Sequence, residues 1–201
     1  MNKQITWQDD ILKKYKIFLF FLLLFILPNL THASERWVLD KSLSTVEFEL
    51  PVLFAKNVKG TFNTIEGFIE LDVNQKENNK AIFYVEVKDL DMNYSKYKDL
   101  LLSDIFFNAR QFPKAVVDTK KFSYVNETEL AFDVELTIKG KSELVPLKIN
   151  VKRLAEELVQ IQTELIFSRT AFEIGIGNWK NTSILKDKVK LSTNLFLFRE
   201  E

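Results

Sequence analysis

The sequence predicts an all-β fold, either a sandwich or a barrel, and three observations carry that prediction. Apolar residues recur at every second position, most clearly at Leu130, Phe132, Val134, Leu136 and Ile138, with Ala131, Asp133, Glu135 and Thr137 between them. Period two places alternate side chains on opposite faces of a strand. Runs of this kind repeat along the chain between polar, Gly- or Pro-containing breaks, without a strand–helix–strand rhythm. No internal repeat, low-complexity tract or linker divides them, so they form one domain.

The elements follow in order. Trp37–Asp40 opens the fold and Lys41-Ser42 reads as a turn. Thr45–Leu50 alternates Val46, Phe48 and Leu50 with Glu47 and Glu49, until Pro51 ends or bends the strand. Phe54–Phe62 is a weaker strand with Gly60 near its end. Gly67–Val73 alternates Ile69, Leu71 and Val73 with Glu70 and Asp72. Asn74–Lys80 is a polar loop, and Ala81–Lys88 is a strand with Phe83, Val85 and Val87 on one face. Ser95–Phe107 breaks the alternation. Its apolar residues are too dense for period two and suit a short helix with Ser95 as N-cap. A strand near Ala115–Thr119 and a half-strand near Lys121–Val125 come next. Glu129–Val151 is a hairpin, its two runs separated by the polar segment Lys139–Glu143. Leu158–Phe167 alternates Ile161, Thr163, Leu165 and Phe167 with Gln160, Gln162 and Glu164. Arg169–Ser183 is irregular, and Lys188–Phe198 is the last strand.

Residues 1–33 have a different character. Lys13, Lys14 and Lys16 precede the unbroken apolar run Ile17–Leu27, then Pro28, Asn29 and a small–x–small site at Thr31-His32-Ala33. This is the pattern of a secretory signal peptide cleaved near Ala33. The apolar run is shorter than the roughly 20 residues of a membrane-spanning helix. The expected mature domain, 34–201, carries 24 basic and 26 acidic residues. That balance offers no basic stripe for nucleic acid. There is no Cys, and the one His, His32, lies in the leader. The mature domain therefore lacks the residues of Ser-His-Asp triads, Cys nucleophiles and nearly all zinc sites. An enzyme would have to work through paired carboxylates, and no converging pair stands out. No metal or other cofactor is expected.

The chain has 18 Phe, of which Phe18, Phe20, Phe21 and Phe25 lie in the leader. Aromatic strand residues ordinarily fill cores. If the sheet closes on itself, the same apolar face encloses either packed side chains or one ligand. Phe48, Phe62, Phe83, Phe132, Val134, Leu165 and Phe167 are the candidate lining. The Ser95–Phe107 helix is then either a lid or a plug. Arg169, at a strand end, is read two ways: an anchor for its loop, through a carboxylate and backbone carbonyls, or the polar anchor of a ligand head group. Asp89, Asp91 and Asn93 have calcium-loop spacing but lack the following glycine and the closing acid. Gly175-Ile176-Gly177 lacks the third glycine of a dinucleotide loop. Asn93, Asn126 and Asn181 begin glycosylation sequons.

Four segments, in order, resemble the YceI-like family of lipid/polyisoprenoid-binding proteins. They are Ser44–Phe48 with Lys59–Phe62 and Glu66-Gly67; Phe106-Phe107-Asn108 with Gln111-Phe112-Pro113; Leu136–Gly140 with Val145-Pro146-Leu147; and Ser168–Phe172 with Ile174–Gly177 and Trp179. The resemblance implies an eight-stranded antiparallel, lipocalin-like β-barrel with one or two short helices over residues 34–201. It also implies periplasmic or secreted location, and a long isoprenoid lipid (a quinone tail or a polyprenyl phosphate) held inside. Homodimers and transient membrane contact belong to the same expectation. The chain departs from the family pattern at Leu50-Pro51, where His is frequent, and at Ile105, where Asp is frequent. The Arg-x-Asp-Phe-Gly pattern here reads Arg169-Thr170-Ala171-Phe172-Glu173. The rival expectation is an adaptor whose barrel is filled by side chains and whose outer surface meets a membrane redox or stress-response protein.

Overall fold

The computed structural model describes residues 34–53, 56–72, 74–123 and 128–200. The expected leader with its cleavage site near Ala33, Phe54 at the start of one expected strand, Val73 at the end of another, and Val125 lie outside the described residues.

The strands are β1 Ser34–Leu39, β2 Thr45–Leu50, β3 Val58–Phe62, β4 Ile65–Asp72, β5 Lys80–Glu86, β6 Leu90–Met92, β7 Lys114–Asp118, β8 Glu129–Ile138, β9 Lys141–Arg153, β10 Leu158–Ser168 and β11 Lys188–Arg199. Among the described residues one α-helix, α1, spans Lys98–Leu102. Eight strands close an antiparallel ring in the order β1-β4-β5-β7-β8-β9-β10-β11 and back to β1. The fold is therefore the eight-stranded barrel, not the sandwich.

The other three strands are continuations of the first staves. β11 is long enough to pair with β2 over Lys190–Asn194 and with β1 over Leu197–Arg199. β1 and β2 are thus successive halves of one bent stave. β4 and β3 pair with those halves in turn, and β5 and β6 with the next. The first bend is set by Asp40, whose Oδ1 accepts bonds from the Ser42 amide (2.7 Å), the Ser42 hydroxyl (2.6 Å) and the Leu43 amide (3.1 Å). Buried Ser44 then accepts the Phe196 amide at 3.0 Å, tying the bend to β11.

Alternation decides which face is inside. Leu136, Ile138 and Val134 of β8 are buried, as are Leu147 of β9, Ile161, Leu165 and Phe167 of β10, and Val189, Leu195 and Leu197 of β11. Their polar neighbours face water, joined by ion pairs such as Lys120–Glu135 (2.8 Å) and Lys190–Glu164 (2.6 Å). The β8–β9 hairpin turns in only two residues. Ile138 pairs with Lys141, and Lys139 (φ +53°) and Gly140 (φ +73°) both take the left-handed backbone of a type I′ turn.

Four segments differ from the sequence reading. Lys121–Val125 is not a strand where it is described: Phe122 makes a single bridge to Asn79. Leu90–Met92 forms β6, too short for its alternation to register. The helix is one α-turn preceded by a 3₁₀ turn over Ser95–Tyr97, and Ser95 makes no capping bond. The density of apolar residues there reflects burial at the barrel end, since Leu101 and Phe106 are buried, and not helix length. Last, β5 stops at Glu86, and Val87–Asp89 form a 3₁₀ turn.

Candidate functional site

The barrel encloses a cavity of about 640 Å³. Its wall is the inward face of every stave. Phe48, Phe62, Phe83, Phe132, Val134, Leu165 and Phe167 all line it. Close backbone approach shapes two of these. Phe48 lies opposite Gly60 and Phe83 opposite Gly67. A Cβ at either glycine would run into the facing ring. The glycines let both rings lie against the neighbouring strand, leaving the centre of the barrel open. Phe122 stacks on Phe132 at 5.0 Å (interplanar 13°), extending the aromatic wall.

The two ends differ. At one, the cavity is lined by Glu35 of β1, Asp72 at the end of β4, Lys76, Thr128 and Arg153 at the end of β9. Lys76, Thr128 and Arg153 are exposed, so the cavity reaches solvent there. This is the mouth, and its four charged lining groups are balanced in sign. Arg153 also secures the β9–β10 turn by donating from Nη2 to the Glu156 carbonyl at 2.9 Å. The sequence reading missed this rim. For Glu35 and Arg153 its signal was present, as inward-parity positions that turn charged at strand ends; Asp72, Lys76 and Thr128 carried none.

The other end is plugged. Leu101, Phe106, Phe107 and Ile174 close it, with Phe107 edge-on to Phe62 at 6.1 Å. The α1 segment is latched to the β10–β11 loop. The Gly175 and Ile176 amides donate to the Ile105 carbonyl (2.9 and 3.1 Å). Lys139 Nζ donates to the carbonyls of Asp104 (2.6 Å) and Glu173 (3.1 Å). Burial pushes the Lys139 pKa down against the opposing pull of Glu173 and Asp104.

Arg169 belongs to this plugged end, not to the cavity wall. It is fully buried. Nε donates to the Lys186 carbonyl (2.9 Å), Nη1 to those of Ile174 (2.8 Å) and Gly175 (3.3 Å), and Nη2 to that of Leu185 (2.8 Å). With its donors aimed at main chain, the guanidinium is placed as the loop anchor and does not offer a head-group contact. Burial lowers its pKa, and Asp187 opposes that. Asp187, which the sequence reading passed over, clamps the same turn. Its carboxylate accepts the Ser168 hydroxyl (2.7 Å), the Thr170 hydroxyl (2.7 Å) and the Thr170 amide (3.1 Å). Burial pushes this carboxyl up, but the Ser168 and Thr170 bonds outweigh it and hold the pKa below the ordinary carboxylate value. Glu173, where the family resemblance expects Gly, keeps a left-handed backbone at φ +53°.

Asp89, Asp91 and Asn93 are spent locally, accepting from Thr64, the Met92 amide and the Lys59 amide respectively. Among the described residues, no group of three or more His, Cys, Asp or Glu is placed to hold a metal ion. The site therefore offers a mostly apolar, aromatic-rich lumen with a charged mouth, suited to enclosing an apolar chain.

Comparisons with known proteins agree with this architecture. Residues 37–197 match the model of the YceI-like domain. No curated protein sequence matches the chain. Among solved structures, the chain is similar to BcnA of Burkholderia cenocepacia, with TM-score 0.71 and 24% identity, covering 79% of this chain and 98% of that one. It is similar to a structure described as a polyisoprenoid binding domain from Saccharophagus degradans implicated in plant cell wall breakdown, with TM-score 0.64 and 15% identity, covering 82% and 98%. It is also similar to a YCEI protein of Campylobacter jejuni, with TM-score 0.62 and 22% identity, covering 75% and 90%. At these identities the structural likeness speaks to the fold. The family follows from the domain match, which spans most of the barrel: the chain belongs to the YceI-like family.

Proposed function

We propose that the barrel is a carrier that holds a long apolar lipid of isoprenoid type, a quinone tail or a polyprenyl phosphate, in its lumen, for transport, storage or stress response. The observation that carries the reading is the open cavity of about 640 Å³, with apolar walls and charge confined to the mouth. Its volume falls within the roughly 300–1,000 Å³ of ligand pockets. A barrel filled by its own side chains would lack this space, which weighs against the adaptor reading. The description of the Saccharophagus degradans neighbour as a polyisoprenoid binding domain points the same way. Phe48, Phe62, Phe83, Phe132, Val134, Leu165 and Phe167 are the proposed lipid contacts. Each buried methylene contributes about 0.8 kcal/mol, less the cost of ordering the chain. The protein acts without catalysis, and the chain is exported to the periplasm or beyond after cleavage near Ala33.

The test is to export the chain in a bacterial host, purify it without detergent and identify solvent-extracted lipid by mass spectrometry, with an unrelated exported barrel as control. A stoichiometric isoprenoid supports the carrier and names its ligand. An empty extract, with no binding on addition of prenylquinones or polyprenyl phosphates, returns the reading to the adaptor. N-terminal sequencing of the same material is expected to begin at Ser34.

A further inference from the structure

One stretch of the barrel wall is held by side chains instead of a ladder. β7 pairs with β8 only from Val116↔Thr137 to Asp118↔Glu135, while β8 extends back to Glu129, next to Thr128 of the mouth. On its other flank every residue of β8 pairs with β9. The strands part because the chain after Asp118 stays with β5. The Thr119 amide donates to the Ala81 carbonyl (3.0 Å) and the Phe122 amide to that of Asn79 (2.9 Å). Two residues separate Thr119 from Phe122 and one separates Ala81 from Asn79, so one extra residue bulges out. Lys120 takes up the bulge with left-handed backbone at φ +56°, its amide held by Asp118 Oδ1 at 2.6 Å.

The bulge leaves a seam and supplies its stopper. It shifts the inward parity by one, so Phe122 lines the lumen and Lys121 turns outward, donating to Asn78 Oδ1 at 3.0 Å. Across the seam Ala131 and Asp133 are exposed, and no strand among the described residues pairs with them on that side. Between water and lumen stands the stack of Phe122 on Phe132. β9 and β10 also part, beyond Leu147↔Leu165, but there Phe167 packs on fully buried Phe172 behind the wall. A bulge can serve only to re-aim a strand. This one also leaves a donor unpaired: Asn79, bridged to Phe122, is 1% exposed, and its Nδ2 has no hydrogen-bond partner among the described residues. The closed seam thus carries a cost that water entering an open one relieves.

We propose that the seam is a lateral gate: Phe122 swings off Phe132, and the guest passes through the wall between β7 and β8. The inference rests on the lipid-carrier reading above and adds the route by which the lumen fills and empties. Opening the gate separates one aromatic pair and leaves every ladder intact. Parting β8 from β9 instead would break a ladder along the whole of β8. Lys120 marks the inner limit of the gate, with Nζ bound to Asp118 (3.1 Å) and Glu135 (2.8 Å) where the strands fork. The seam is continuous with the mouth at Glu129, so a long chain is laid in from the side and need not thread end-first.

The test follows entry by stopped flow. The full chain, stripped of lipid, is mixed with an alkyl-tailed benzoquinone, and quenching of Trp37, which lines the lumen, reports arrival. Phe122→Ala is expected to raise the association rate about two- to tenfold, the range one aromatic pair commands. A lost wall contact alone would raise only the dissociation rate. The opposite variant locks the seam. Ser123→Cys/Ala131→Cys introduces the chain's only two thiols, on exposed residues flanking the seam. Joining them with a short bismaleimide is expected to slow association and dissociation alike, about tenfold or more, with Kd unchanged against the same variant unjoined. Equal association rates in wild type, Phe122→Ala and the joined variant overturn the gate and leave the lipid carrier standing. Absence of quenching in wild type overturns both.

Discussion

Arg169 and Asp187 show what a single residue contributes at the plugged end. Arg169 stood out in the sequence as a cation ending an apolar strand, and two roles suited it. What decides between them is four main-chain carbonyls, from Ile174, Gly175, Leu185 and Lys186. Carbonyls are present at every residue and leave no mark in a sequence. Arg169→Lys is expected to destabilise the barrel by about 2 kcal/mol or more in urea unfolding, because one ammonium cannot serve several divergent acceptors and those left are buried. Lipid retention per folded molecule should be unchanged if the anchor role is correct. Asp187 was illegible for a different reason: its partners Ser168 and Thr170 lie 19 and 17 residues away. Asp187→Asn is expected to cost on the order of 1–2 kcal/mol at pH 7. Its folded pKa is lowered, so its stabilisation is present above the unfolded carboxylate value, about 3.9. It is lost as pH falls through the folded value. The gap between wild type and variant in urea melts should therefore narrow on moving from pH 7 to pH 2. A gap independent of pH would mean that the carboxylate charge is irrelevant to the clamp.

At the scale of elements, the alternation was readable wherever a stave exceeds about five residues, as in β8 and β10, since one wet and one dry face impose period two. It failed at β6, where three residues cannot display a period, and it overstated the helix, because apolar density signals burial before it signals helicity. The pairing of aromatics with glycines was also hidden. Phe83 and Gly67 are both ordinary in their own strands, and only the register that sets them opposite makes the glycine necessary. Gly67→Ala is expected to push the Phe83 ring off the wall of β4 and to cost about 1–3 kcal/mol, as overpacking does. Combining it with Phe83→Leu should recover in thermal melts the part of that loss due to the ring, while the clash of the new methyl with the Ile82 carbonyl remains. If the double variant is no more stable than the sum of the single changes allows, the contact between these two residues is not what the glycine protects.

For the whole molecule, periodicity reached an all-β fold with an apolar interior and the family resemblance implied its closure into a barrel, but neither could say whether that interior is full. Period two marks which side chains point inward. It does not add their volumes or fix the barrel radius, and the residual space depends on both. The structure leaves about 640 Å³ between a charged mouth and the plug of Leu101, Phe106 and Phe107. A lumen of fixed depth has a consequence that a surface groove or a micelle-like association lacks. Each added methylene that reaches apolar wall tightens binding by up to about fourfold, from roughly 0.8 kcal/mol per CH₂. Gains stop when the chain end meets the plug. A series of lipids with one head group and increasing chain length, titrated against the delipidated protein, is therefore expected to show affinity rising and then levelling. Leu101→Ala removes part of the plug and should move the plateau to a longer chain. The variant is expected to lose about 2–5 kcal/mol of stability, so the comparison belongs at a temperature where melts show both proteins folded. A plateau that stays at the same length in Leu101→Ala would put the chain end elsewhere than against α1. Affinity that climbs without levelling would place the lipid outside the barrel altogether.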